Sequence, residues 1–133
     1  MTKIITGIAA SFAVLAGLVF LVTVGIGSPV STDLSAIGKG KPALVLAYEN
    51  YSPAGGEALN RMGQVKGDYE SRIEFLVADL GVPAGQAFAD RHRLDNGQAM
   101  FLTPDGRPLR AMSIPAEEQA LRTLLDSLLS DLE

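Results

Sequence analysis

The chain has 133 residues, of which 47% are hydrophobic and 20% charged, with a formal net charge of −4, one His, no Trp and no Cys. This length allows one small domain. The lack of Cys excludes a disulfide framework, a thiolate metal site and thiol redox chemistry, and the acidic balance argues against a nucleic-acid partner, whose phosphates need clustered Lys and Arg.

Charge is unevenly distributed. Residues 4–27, IITGIAASFAVLAGLVFLVTVGIG, form a run of 24 without a charge. At about 1.5 Å per residue a helix of that length spans a hydrocarbon core of about 30 Å. The run is longer than the apolar region of a signal peptide, about 7–15 residues, and Gly25-Ile26-Gly27 is a poor small-x-small cleavage site. The segment 1–27 is therefore expected to be a retained transmembrane anchor rather than a cleaved signal. Lys3 precedes it and Asp33 is the first charge after it. The positive-inside rule then puts the N-terminus in the cytoplasm and the remainder outside, in a bacterium the periplasm. Ala9, Ala13 and Gly17 recur at four-residue spacing. Such a ridge lets another transmembrane helix approach closely, although membrane helices are rich in Gly and Ala in any case.

Residues 28–133 hold all 15 acidic residues and 10 of the 11 basic ones, a net charge of −5. Residues 28–40 have the Gly, Pro, Ser and Thr content of a tether, with room for one helical turn at 33–37. The apolar run 43–48 reads as a central strand covered on both faces. Residues 51–56, YSPAGG, read as a turn, and a helix is expected over 57–69 with Leu59, Met62 and Val65 inward. A second strand follows at 73–78. Pro83 opens a short helix with Ala87, Phe88 and Leu94 as its inner residues. A third strand at 99–102 and a fourth at 108–112 flank the turn signal Thr103-Pro104-Asp105-Gly106, which makes them an antiparallel hairpin. Pro115, Glu117 and Glu118 mark the start of a last helix, in which Leu121, Leu124, Leu125, Leu128 and Leu132 form a core-facing stripe. The first two connections are expected to be crossovers between parallel strands.

This order, with its local sequences, resembles the thioredoxin-like family over residues 41–132. Lys41-Pro42-Ala43-Leu44-Val45-Leu46-Ala47-Tyr48 resembles the strand before the family's active-site loop. Tyr51-Ser52-Pro53-Ala54-Gly55 stands where the family carries an aromatic residue and Cys-x-x-Cys. Val77-Ala78-Asp79 resembles a family strand ending in Asp, and residues 101–107 with the terminal Leu helix resemble its closing hairpin and helix. The resemblance implies an α/β fold: a thioredoxin-like sheet of parallel strands plus a C-terminal antiparallel hairpin, with flanking helices, here preceded by one transmembrane helix. The family's extra N-terminal strand and helix are not expected here, because the anchor and tether occupy that stretch. Its two cysteine positions fall on Ser52 and Gly55, and its cis-proline on about Gln98. Redox activity is not expected to carry over, because sulfur exchange needs sulfur and cis peptides are essentially a proline feature.

Other chemistry is weakly signalled. Ser52 with His92 as base would need hydrogen-bond proximity, which this layout does not provide. Glu57, Glu70, Glu74, Asp79, Asp90 and Asp95 show no metal-ligand spacing, so they read as solvated faces, and no metal or cofactor is expected. Arg91, His92 and Arg93 read as rim contacts. The loop face of Tyr51, Ser52, Pro53 and Gln98 is where family members meet partner polypeptides, and Tyr is a good interface anchor. The expected function is non-enzymatic: an accessory or assembly subunit of a membrane protein complex. The alternative is a peptide-binding holdase or maturation factor for exported proteins.

Overall fold

The computed structural model describes residues 30–133. The expected anchor, with Ala9, Ala13 and Gly17, lies outside the described residues, and among those described no helix is long and apolar enough to cross a membrane.

After a short 3-10 turn, Leu34–Ala36, the chain forms β1 (Ala43–Tyr48), α1 (Pro53–Tyr69), β2 (Glu74–Asp79), α2 (Pro83–His92), β3 (Gln98–Leu102), β4 (Pro108–Ser113) and α3 (Glu118–Asp131). The four strands make one sheet in the order β2-β1-β3-β4. Strand β1 is central, and Ala43, Leu44, Val45, Leu46 and Ala47 are fully buried. Its alternation divides the core. Leu44 and Leu46 join Phe75 and Phe101 under α1 and α3, against Met62, Val65, Leu121, Leu125 and Leu128. Ala43, Val45 and Ala47 join Leu76, Ala78, Met100 and Leu102 on the other side, against Phe88, Ala89 and Leu94. The α1–α3 seam has a polar closure: the Tyr69 hydroxyl donates to Asp126 Oδ1 at 2.8 Å, and Arg122 Nη1 lies 2.6 Å from Asp68 Oδ2. Burial first, and then the Asp126 carboxylate, push the Tyr69 phenol above its ordinary range.

Three sequence expectations are corrected. Strand β3 is antiparallel to β1, with Ala43 opposite Leu102 and Leu46 opposite Ala99, whereas β1 and β2 are parallel. The second connection does not return the chain to the starting end of the sheet. Gly97 N–H donates to the Ala47 carbonyl at 2.8 Å, so β3 enters where β1 ends and has to run back along it. The turn at 51–56 is shorter than its composition implied. Helix α1 starts at Pro53, since proline at the first helical position has no amide to waste and a preset φ. In α2 the inward residues are Gly85, Phe88 and Ala89, at helical spacing, while Ala87 is exposed.

Residues 30–37 lie against the sheet. Val77 N–H donates to the Ser31 carbonyl at 2.9 Å, a single parallel bridge on the outer edge of β2. The Asp33 carboxylate accepts from Ser35 N–H at 3.1 Å and caps the 3-10 turn. Leu34, Ala36 and Ile37 then pack on the α2 side of the core.

Candidate functional site

The C-terminal end of β1 leads into the loop 49–52, and its backbone dictates what it displays. Ser52 N–H bonds the Glu49 carbonyl at 3.3 Å, closing a tight turn. Tyr51 adopts φ 68°, a left-handed conformation unusual for a bulky residue, and its side chain is 100% exposed. Pro53, beside it, is also exposed.

Asn96 holds this loop from the other side. Its Nδ2 donates to Ser52 Oγ at 2.5 Å, and its Oδ1 accepts from Glu49 N–H at 2.9 Å. Ser52 is the N-cap residue of α1, yet its hydroxyl makes no capping bond, because Asn96 engages it instead. Gly55 completes the fit. A Cβ there would stand 2.6 Å from Asn96 Oδ1 and 3.2 Å from the Tyr48 ring. Gln98 belongs to the same corner but folds back on its own loop, its Oε1 accepting from Asp95 N–H at 2.9 Å. The structure thus brings Ser52, Gly55 and the 96–98 corner together, points Tyr51 away from them, and uses Gln98 as a brace. Asn96 was missed in the sequence. The turn signal Asn96-Gly97, directly before a strand, is what would have found it.

Among the described residues the hydrogen-bond partner of the Ser52 hydroxyl is the Asn96 amide, not a base. An amide neither accepts nor releases a proton at ordinary pH, and a serine nucleophile needs an adjacent base. His92 is on the opposite face of the sheet from α1. Its ring packs on Phe88, with centroids 4.4 Å apart, and lines a groove with Leu34, Ile37 and Leu102. Burial first, and then Arg91, lower its pKa from the ordinary value of 6.5. Four of the six candidate carboxylates sit in ion pairs or a local hydrogen bond: Glu57 with Arg61 at 3.6 Å, Glu70 with Lys66 at 3.7 Å, Glu74 with Lys41 at 3.9 Å, and Asp79 accepting from Gly81 N–H at 2.8 Å. Among the described residues no group of three His, Cys, Asp or Glu is placed to hold a metal ion.

Neither a protein-family model nor a curated protein sequence matches the chain. Solved structures do. An uncharacterised thioredoxin-like protein from Clostridium perfringens superposes with a TM-score of 0.65 at 17% identity, covering 77% of this chain and 82% of that one. The germline-specific thioredoxin Deadhead from Drosophila melanogaster gives 0.57 at 17% identity, over 68% of this chain and 84% of its own. The thioredoxin of Fasciola hepatica gives 0.55 at 16%, over 68% and 83%. The fold is thioredoxin-like. At these identities the likeness is one of fold alone. With no Cys in the sequence, this thioredoxin-like domain lacks the thiols on which thioredoxin-type redox catalysis depends. Among the described residues it also has no cis peptide bond, and Gln98, the position matched to the family's cis-proline, opens β3.

Proposed function

We propose that the chain is a non-enzymatic, single-pass membrane protein, an accessory or assembly subunit of a membrane protein complex, whose thioredoxin-like domain docks a partner polypeptide through the loop that carries Tyr51. The observation that carries this reading is the presentation of Tyr51: wholly exposed, at φ 68°, on a turn clamped by Asn96. A left-handed conformation at a bulky residue persists only where its surroundings impose it, and such strain gathers at functional positions. An aromatic side chain on a rigid turn is large, amphipathic and already ordered, which suits it to anchor an interface. The uncharged run 4–27 supports the membrane anchor.

The test uses the full chain in its native membrane. It should resist carbonate extraction and co-purify with its partner at fixed stoichiometry, and a photocrosslinking residue at position 51 should capture that partner. Tyr51→Ala should fold with an unchanged melting temperature yet reduce partner recovery at least tenfold, since interface anchors cost about 2 kcal/mol or more on truncation. Undiminished recovery would remove the loop from the interface. Capture of many exchanging polypeptides in place of one stoichiometric partner would favour the holdase.

A further inference from the structure

The 3-10 turn, α2 and the β3–β4 hairpin surround a groove of about 400 Å³. It reaches Leu102, which pairs with Ala43 at the start of β1, whereas the Tyr51 loop follows the end of that strand. The groove arises because a ten-residue helix and a three-residue turn do not cover this face completely. Leu34, Ile37, Phe88 and Leu102 line it, and among the described residues Arg91 and His92 are the lining residues that carry or can take a charge. The boundary at the hairpin is tightly built. Gly106 has φ +88°, and a Cβ on it would lie 3.4 Å from both Gly38 Cα and Ile37 Cγ2, so hairpin turn and N-terminal segment meet there in close contact.

The charge of this groove is one-signed in an acidic protein. Among the described residues no carboxylate lines it. Among the described residues Lys41, Arg61, Lys66, Arg107 and Arg122 form ion pairs; Arg91 is in none of these pairs, nor are Lys39, Arg72, Arg93 and Arg110, and of those five it is Arg91 that lines the groove. Apolar walls with a few polar groups to fix orientation are the usual make-up of small-molecule sites, and about 400 Å³ is toward the small end of their range of roughly 300–1,000 Å³. An unpaired guanidinium at the mouth selects a carboxylate, which it can hold by two parallel hydrogen bonds. The volume suits one aliphatic chain of moderate length and not the paired chains of a membrane phospholipid.

We propose that this groove binds a single-chain aliphatic carboxylate, its tail against Leu34, Ile37, Phe88 and Leu102 and its carboxylate on the Arg91 guanidinium. The site is separate from the Tyr51 loop.

The experiment is a titration of the isotope-labelled full chain, in phosphatidylcholine nanodiscs, with decanoate, following the backbone amides of Ile37, Ala87 and Arg91. These should shift saturably while the amides of the Tyr51 loop stay in place. Acetate, which has the head without the tail, and decyltrimethylammonium, which has the tail with the opposite charge, should bind at least tenfold more weakly. Arg91→Gln should weaken decanoate about tenfold. Ala87→Glu places a carboxylate in the groove at an exposed helical position, and should weaken it at least as much with an unchanged melting temperature. The proposal is overturned if the shifts fail to saturate, if the ammonium binds as tightly as decanoate, or if a normally folded Ala87→Glu binds like wild type. It is also overturned if phosphatidylglycerol discs move these amides unaided and decanoate does not, because the ligand is then a lipid phosphate.

Discussion

On one face of the sheet two helices, 17 and 14 residues long, lie side by side over Leu44, Leu46, Phe75 and Phe101; on the other, a helix of 10 residues shares the cover with a three-residue turn. The double cover makes a continuous core whose helices are joined by the Tyr69–Asp126 and Arg122–Asp68 contacts. The single cover leaves a groove, and it must approach the sheet more closely to bury anything. Gly85 marks that approach, since a Cβ on it would stand 2.0 Å from the Asp79 carbonyl oxygen and 2.5 Å from its nitrogen. The larger buried cluster thus lies on the α1–α3 face, and the open groove on the α2 face.

The largest effect expected from this contrast is on core truncation. Leu125, under α3, is 0% exposed. Leu125→Ala should cost about 3 kcal/mol in urea unfolding, within the usual range of about 2–5 for a buried leucine. Leu34→Ala, on the half-exposed 3-10 turn of the opposite face, should cost less than about 1 kcal/mol. Equal losses would mean that the two faces are not held differently.

A pair of glycines sharpens the contrast. Gly85→Ala should destabilise by about 2–3 kcal/mol, because the new methyl meets backbone that cannot give way without lifting α2. Gly67, on α1, has nothing within 4 Å of its Cβ position. Gly67→Ala should stabilise by about 0.5–1 kcal/mol through helix propensity and a less flexible unfolded chain. A Gly85→Ala denaturation midpoint at or above that of wild type would show that the close approach at Gly85 is not a constraint.

A smaller effect belongs to the corner behind Tyr51. Asn96→Ala removes the donor to Ser52 Oγ and the acceptor for Glu49 N–H. Two such bonds are worth about 1–2 kcal/mol in total, and the Glu49 amide should exchange with solvent markedly faster while the core amides of β1 lose protection only in line with global stability. Unchanged exchange at Glu49 would leave the loop's shape to some other contact.

Much of the fold was legible in the sequence for a local reason. The apolar run at 43–48, the Leu121-Leu125-Leu128 stripe and the Pro104-Asp105-Gly106 turn each encode their element through periodicity or turn chemistry, and β1, α3 and the β3–β4 hairpin stand there. The direction of β3 was not legible, because it depends on the Gly97–Ala47 hydrogen bond between residues 50 apart. The site was legible only in outline. Ser52 and Gly55 could be placed by resemblance, but Asn96, the residue that joins them, is separated from Ser52 by 44 positions. A lone Asn in a turn looks the same whether its amide meets water or a hydroxyl.

By itself, then, the sequence determined which segments become strands and helices and that thiol chemistry is absent, since these follow from local pattern and composition. The tertiary structure decided what those segments leave exposed. Only packing made Gly85 a contact point and Gly67 a free surface, folded Gln98 back on its own loop and turned Tyr51 outward, and left Arg91 without an ion pair beside an apolar groove. The physical reason is that burial, clash and pairing are properties of residues brought together across the sheet, and no spacing along the chain records them.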